Sequence, residues 1–310
     1  MRFLLLFILL LPQLSAGNDY CSDEYSQNYQ PINEQQFKTL FFSINKCGIT
    51  PSHIMGTMHS DSNALQHVLD KANQVTDTSS LVYLEVDMQP STAIAASKRM
   101  YLPLDSTKTL PDIIGENVFD QLTQLVQQNL GLPSFAIKRM KPWAAAMLLQ
   151  YPAPEGNGVV LDQKIYNYAD AKGIKTDGLE DADELLDIFD TMSNELQLKI
   201  VEYSINEYPE ISTMNDKLLN LYSDQDLLAI NNFVEEQMQD LTSRDDELLK
   251  QLGQLMQQQV MIKRNYNMVS AAKAELQNGN IFIAVGAAHL LGDEGILKLL
   301  EDEGYFIQPH

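Results

Sequence analysis

One unit occurs twice in this chain, once near each end, and that repetition limits the folds open to it. Residues 53–87 read as strand, Gly-Thr-Met-His, loop, helix, strand; residues 281–309 read as strand, Gly-Ala-Ala-His, loop, helix, strand. With 15 glycines and 5 histidines in the chain, roughly 0.2 Gly-x-x-His spacings are expected by chance, so two in the same strand-to-helix setting mark a repeat. Two β-Gly-x-x-His-α-β units predict an α/β (α+β) protein in which both contribute to one central mixed sheet, and the chain between them is an insertion.

The intervening pattern supports this reading. Residues 38–45 and 52–59 predict a hairpin, residues 63–72 an amphipathic helix, and 79–87, "SSLVYLEVD", a strand buried on both faces. From about 91 to 275 the apolar spacing is almost wholly helical, with stretches at 117–130, 141–150, 162–172, 183–206, 215–240 and 245–277 and one short strand at 174–179. A strand at 281–286, a helix at 294–303 and a last strand in "YFIQP" close the chain. Residues 38–310 are therefore expected to form a single domain, preceded by a polar tail at 18–37.

The first residues, "MRFLLLFILLLPQLSAGND", have a minimal basic start, an apolar run and then Ser15, Ala16 and Gly17. This predicts a cleaved signal peptide over 1–17 and a secreted or periplasmic product. No later segment is long and apolar enough to span a bilayer. In an oxidising compartment Cys21 and Cys47, the only two cysteines, are expected to form one disulfide. A net charge of −21 repels phosphate backbones and anionic lipid heads alike, and no cluster of lysine and arginine rises above the background of the sequence, which excludes nucleic acid as a partner.

The chemistry is expected at the strand ends. Glycine lets the backbone turn sharply, and His59 and His289 then lie in loops beyond the carboxyl ends of their strands, where open α/β sheets bind ligands. Glu85 sits near the end of the buried strand between them and needs a partner or a metal. Two imidazoles and a carboxylate are a common ligand set for a divalent metal, and Glu85 alternatively suits a general base. The competing readings are hydrogen-bonded core histidines and a Glu85–arginine pair. Arg264 has Val260 and Met268 four residues to either side, and Asn265 has Met261 and Val269, so both read as facing inward. A surface arginine with its stem along apolar neighbours reads equally well. His53 is expected to be partly solvated at its strand start and His67 to lie on the surface. Asp61 and Asp293 are expected to be helix caps, and Asp87 a cap or an orienter of a ligand.

"HIMGTMHSD", the glutamate of "LVYLEVD", "LDQKIYNYADAKGIKTDGLE", "KRNYNM" and "IFIAVGAAHLLGDEGILKLLEDEGY" together resemble the TraB/GumN family, which includes the Tiki proteases, over about residues 38–308. The resemblance implies a fold like that of erythromycin-esterase-like and ChaN-like proteins. It implies a site of two Gly-x-x-His motifs and a glutamate for metal-dependent peptide hydrolysis. His59 and His289 would hold a divalent metal of the Mn, Co or Zn class, with Glu85 as third ligand or general base. Arg264 and Asn265 match the family's Arg-Asn pair, and Asp162 and Glu180 its acidic positions; in a hydrolase, Arg264 or Asn265 is expected to stabilise the developing oxyanion. The implied partner is a peptide or protein substrate. The alternatives are a non-catalytic metal, haem or iron-binding protein of ChaN-like type and a metal-free, esterase-like hydrolase.

Overall fold

The computed structural model describes residues 29–31 and 33–310. The expected signal peptide, most of the polar tail, and Cys21 with its disulfide to Cys47 lie outside the described residues.

Six strands form one mixed sheet: β1 (Phe41–Lys46), β2 (Ile49–Thr57), β3 (Leu81–Val86), β4 (Lys175–Glu180), β5 (Ile281–Gly286) and β6 (Phe306–Pro309), in the order β4-β3-β5-β2-β1-β6. β1 is antiparallel to both its neighbours, while β4, β3, β5 and β2 run parallel. The expected hairpin is β1–β2, turning at Cys47 and Gly48, the latter at φ +74°. β3 and β5 are the inner strands expected of near-continuous apolar runs: Leu81–Leu84 and Ile281–Val285 are all buried.

The two repeat units interleave across this sheet. β5 of the second unit lies between β2 and β3 of the first, so the neighbourhood of the strands at 54–56 and 281–286 holds, with Met55 opposite Ala284. As a result β4, β3, β5 and β2 deliver one polar side chain each to the same carboxyl edge: Glu180, Glu85, His289 and His59, in that spatial order.

The insertion packs around a core of its own. Leu110, Leu122, Ile137, Trp143, Phe189, Val201 and Leu252 belong to this second cluster, separate from the sheet core of Phe42, Ile54, Val82 and Phe282. The Trp143 and Phe189 rings stack at 5.2 Å. Three helices expected to be continuous are broken. The stretch at 183–206 divides into Ala182–Asp190 and Asn194–Asn206, with Ser193 capping the second through Leu196 N–H. The stretch at 215–240 belongs to Tyr208–Ser223 and Leu227–Ser243, separated by Gln225 at φ 57° and the capping Asp226. The stretch at 245–277 contains a π-helical turn, Met256–Ile262, between the α-helices Glu247–Leu255 and Lys263–Asn278. Such turns shift the helical register locally; this one immediately precedes Arg264 and Asn265, both buried at the start of the last α-helix in that run.

Candidate active site

Each glycine of the repeated motif is explained by close approach. A Cβ on Gly56 would lie 2.8 Å from the Ala287 Cα, so the first motif presses directly on the second. A Cβ on Gly286 would lie 2.9 Å from Glu85 Oε1. Neither glycine has a positive φ, which corrects the expectation that glycine is there to turn the chain: it lets the two motifs and Glu85 come together.

Arg264 organises the buried half of the site. Its Nε donates to Glu180 Oε2 at 2.7 Å, one terminal nitrogen donates to Glu85 Oε2 at 2.7 Å, and the other lies 3.4 Å from His289 Nε2. Of the sequence readings of Arg264, the inward-facing one that neutralises Glu85 is the arrangement present. Glu85 Oε1 accepts the Gly286 N–H at 2.6 Å and lies 3.9 Å from His289 Nε2. Burial alone would raise the Glu85 carboxyl; the positive charges of His289 when protonated, Arg264 and His59, with the Gly286 N–H, hold it down at about 2. Burial lifts Glu180 above the usual carboxylate range, and Arg264 limits the rise.

The two histidines are anchored in parallel ways by different partners. His289 Nδ1 lies 2.6 Å from Asn265 Oδ1, and Asn265 Nδ2 donates to the Glu294 carbonyl at 2.7 Å. That second bond orients the amide, so His289 carries its proton on Nδ1 and Nε2 presents a lone pair toward Arg264 and Glu85. Burial lowers the His289 pKa to about 4. Its side chain is 6% exposed, against 53% for His59. His59 Nδ1 lies 2.9 Å from Asp162 Oδ2, and Asp162 Oδ1 accepts the Thr57 hydroxyl at 2.6 Å. The buried Asp162 carboxylate raises the His59 pKa to about 9, by its charge and then by its hydrogen bond. The charges of His59, Glu85 and Arg264 act on one another and on His289.

Several sequence expectations change here. Asn265 donates its amide to the Glu294 carbonyl and faces His289 with its oxygen, and so orients His289. Asp61 does not cap the next helix, a place taken by Ser62. It accepts the N–H groups of Glu155, Gly156 and Gly158 at 2.8–3.0 Å and so holds a loop of the insertion over the first motif. Asp293 caps nothing; the N-cap there is Gly295. Asp87 accepts Gln89 N–H and the Thr92 hydroxyl at the start of helix Pro90–Arg99. His67 is exposed with Nε2 on the Ser223 carbonyl, and half-buried His53 lies against His310, the ring centroids 4.3 Å apart and the planes tilted by 58°. Thr57, the last residue of β2 and two positions before His59, is a further site residue, and that spacing from the motif histidine is its signal in the sequence.

The chain's own groups can be tested against a divalent metal. Imidazoles oriented through Nδ1 by an oxygen are the usual histidine ligands; both rings are so oriented, but the Arg264 guanidinium stands 3.4 Å from His289 Nε2. A carboxylate, Glu85, lies on the far side of His289 from His59 along the row. Both Glu85 oxygens are already hydrogen-bonded, however, and among the described residues no three His, Cys, Asp or Glu side chains are gathered at metal-ligand spacing. The fit therefore rests on donor type and on the two imidazoles. Two cavities flank the row. One of about 140 Å³ borders the first motif at Met58, Ser60, Tyr151 and Glu155. One of about 420 Å³ lies behind Asn265, between helix Leu227–Ser243, the π turn and the loop after His289.

Residues 40–309 match the TraB/PrgY/gumN family. Among curated proteins the chain is similar to the metalloprotease TIKI1 of Danio rerio, 23% identical over 301 residues that cover 83% of this chain and 60% of the relative. It is also similar to the metalloprotease TIKI2 of Danio rerio, 22% identical over 335 residues, covering 90% of this chain and 62% of the relative. The chain thus spans about three fifths of the length of the curated relatives it matches. No solved structure matches it significantly.

Proposed function

The chain belongs to the TraB/PrgY/gumN family, and from that premise we propose that it is a metal-dependent hydrolase whose substrate is a peptide or protein. The observation that carries the reading is the pair of Nδ1-anchored histidines at adjacent strand ends, with Glu85 on the next strand. His59 and His289 would hold the ion, and Glu85, next in the row, would join as third ligand by giving up its bond to Arg264 or to the Gly286 N–H. An ion of the Mn, Co or Zn class bound there supplies Lewis-acid activation of a carbonyl and of water. Asp162 and Asn265 fix which nitrogen of each ring faces the ion. Arg264 keeps Glu85 and Glu180 ionised side by side in a buried site and holds Glu85 against the Gly286 N–H. The helical insertion, tied to the first motif through Asp61, walls the site and selects the substrate. The names of the two relatives support the metal and the peptide bond. The leader-like opening supports export to the periplasm or the medium, which N-terminal mass analysis of the mature protein tests.

One observation favours a second reading. His59 is half-exposed, backed by a buried carboxylate and held as an imidazolium near neutral pH, an arrangement suited to giving a proton to a leaving group without any metal.

The test is purified protein stripped with chelator and reloaded with Mn, Co or Zn, then assayed on a broad peptide library. Reloaded protein should cut, and His59→Ala, His289→Ala and Glu85→Gln should each lose cutting and metal uptake while remaining folded. Equal activity in stripped protein supports the metal-free reading. Stoichiometric metal with no turnover makes the protein a metal carrier and overturns the hydrolase.

A further inference from the structure

The sequence "SKRMYLPL" at 97–104 has a counterpart in "IKRMKP" at 137–142: each carries Lys-Arg-Met, forty residues apart. The insertion brings the two together. Tyr101 and Met140 form an antiparallel bridge. Leu102 N–H donates to the Arg139 carbonyl at 2.8 Å, Lys141 N–H to the Met100 carbonyl at 2.9 Å, and Leu110 N–H to the Lys138 carbonyl at 2.8 Å. An Arg139 terminal nitrogen donates to the Pro103 carbonyl at 2.6 Å. Two loops are thus joined into one surface.

The inner side of that surface is neutralised. Asp190 receives Lys141 on both oxygens at 2.7 Å, Arg99 at 2.8 Å and the Trp143 indole at 2.9 Å. The outer side is different. Lys98, Lys108 and Lys138 are exposed, and no described carboxylate forms an ion pair with any of them. Of the six basic residues in 98–112 and 134–141, Arg99 and Lys141 are taken up by Asp183, Asp187 and Asp190; Lys98, Lys108, Lys138 and Arg139 remain against Asp105 and Asp112, a local surplus of two positive charges on a protein of net charge −21. Among these cations stand the most exposed large apolar side chains described: Leu104 at 98% and Phe135 at 79%, with Tyr101 and Ile94 also exposed. Side chains so uncovered project from the surface instead of lining a groove.

We propose that this face docks on an anionic membrane surface, with Leu104 and Phe135 entering the boundary between headgroups and acyl chains and Lys98, Lys108 and Lys138 against the anionic headgroups. The combination is that of interfacial anchors: projecting apolar tips ringed by lysine, with an aromatic hydroxyl at the rim. Charge selects the orientation, because the rest of the molecule is strongly negative and is repelled by the same surface. A peptide-binding site would instead draw these side chains into a concavity; the cavity of about 380 Å³ beside this face is lined by Leu102, Lys141 and Asp190 and by neither Leu104 nor Phe135.

The experiment is cosedimentation of the full chain with vesicles of phosphatidylcholine alone and with vesicles in which about a third of the lipid is phosphatidylserine. The wild type should pellet with the anionic vesicles only. The double variants Leu104→Ser/Phe135→Ser and Lys108→Glu/Lys138→Glu should each weaken partitioning roughly tenfold or more, as should about 0.5 M salt for the wild type. All these positions are exposed, so circular dichroism should be unchanged. Equal pelleting with neutral vesicles, no pelleting with anionic ones, or full retention by either variant overturns the proposal. So does binding of a polyglutamate peptide that the lysine variant abolishes while vesicles remain unbound, which would assign the face to an acidic protein.

Discussion

His59 and His289 occupy the same place in two copies of one motif, yet the fold makes them opposites. His59 is half-exposed, faces a carboxylate and is pushed up to about 9; His289 is buried, faces a carboxamide and is pushed down to about 4. Both rings are fixed through Nδ1, so orientation is shared, while charge is set by what does the orienting and by how much water remains. A duplicated strand-loop-helix unit can in this way supply two non-equivalent imidazoles to one edge of a sheet.

The largest expected effect breaks the buried half alone. Arg264→Met leaves Glu85 and Glu180 buried beside each other without a cation, and should cost about 3–5 kcal/mol of stability by denaturant titration. A loss under about 1 kcal/mol would show that the guanidinium is not what holds the row together. Next comes a direct contrast of the copies. His289→Ala opens a buried space and strands Asn265 Oδ1, which should cost about 2–3 kcal/mol at pH 6 and at pH 10 alike, whereas the cost of His59→Ala, which strands the buried Asp162 carboxylate, should shrink as pH rises past about 9. The same pH dependence in both variants would contradict the division into buried and exposed copies.

Exchanging the orienting groups sharpens the comparison further. In the metal-free protein, Asn265→Asp should raise the His289 pKa by about 1–2 units and Asp162→Asn should lower that of His59 by a similar amount, read from imidazole NMR shifts. If neither moves, the partner does not set the charge.

The smallest effect is on stability against pH. A histidine with a raised folded pKa stabilises the fold fully below its unfolded value near 6.5 and loses that contribution as pH rises, so His59 gives an alkaline slope between about 6.5 and 9. Histidines with lowered values, His289 and the more distant His53, both near 4, stabilise fully above about 6.5 and lose this as pH falls toward 4. His53→Gln should therefore flatten only the acid limb, by about 1 kcal/mol, and His59→Gln only the alkaline one. A variant that altered the opposite limb would reverse the assignment.

The repeat made the central part of this arrangement legible. Two apolar strands ending in Gly-x-x-His pointed to one shared sheet, in which β2 lies beside β5; Glu85 at a buried strand end needed a partner or a metal, and of the two readings of Arg264 the inward one supplies that partner. What was not legible depends on contacts without local pattern. Asp61 looks like a helix cap because the loop it holds lies 94–97 residues later. Gly56 and Gly286 look like turn residues because the Ala287 Cα and the Glu85 carboxylate they make room for are distant in sequence. The helix breaks at 191–193 and 224–226 interrupt apolar spacing that continues across them, and the lysines of the two Lys-Arg-Met segments look dispersed until the insertion pairs them.

The account is tested most directly by the protonation state and tautomer of the two site histidines in metal-free protein, measured by nitrogen-15 NMR from pH 5 to 10. It predicts that His289 stays neutral with its proton on Nδ1 throughout, while His59 remains an imidazolium until about pH 9. If both rings titrate together near their ordinary value of about 6.5, the two copies are equivalent and the division of roles described above is wrong.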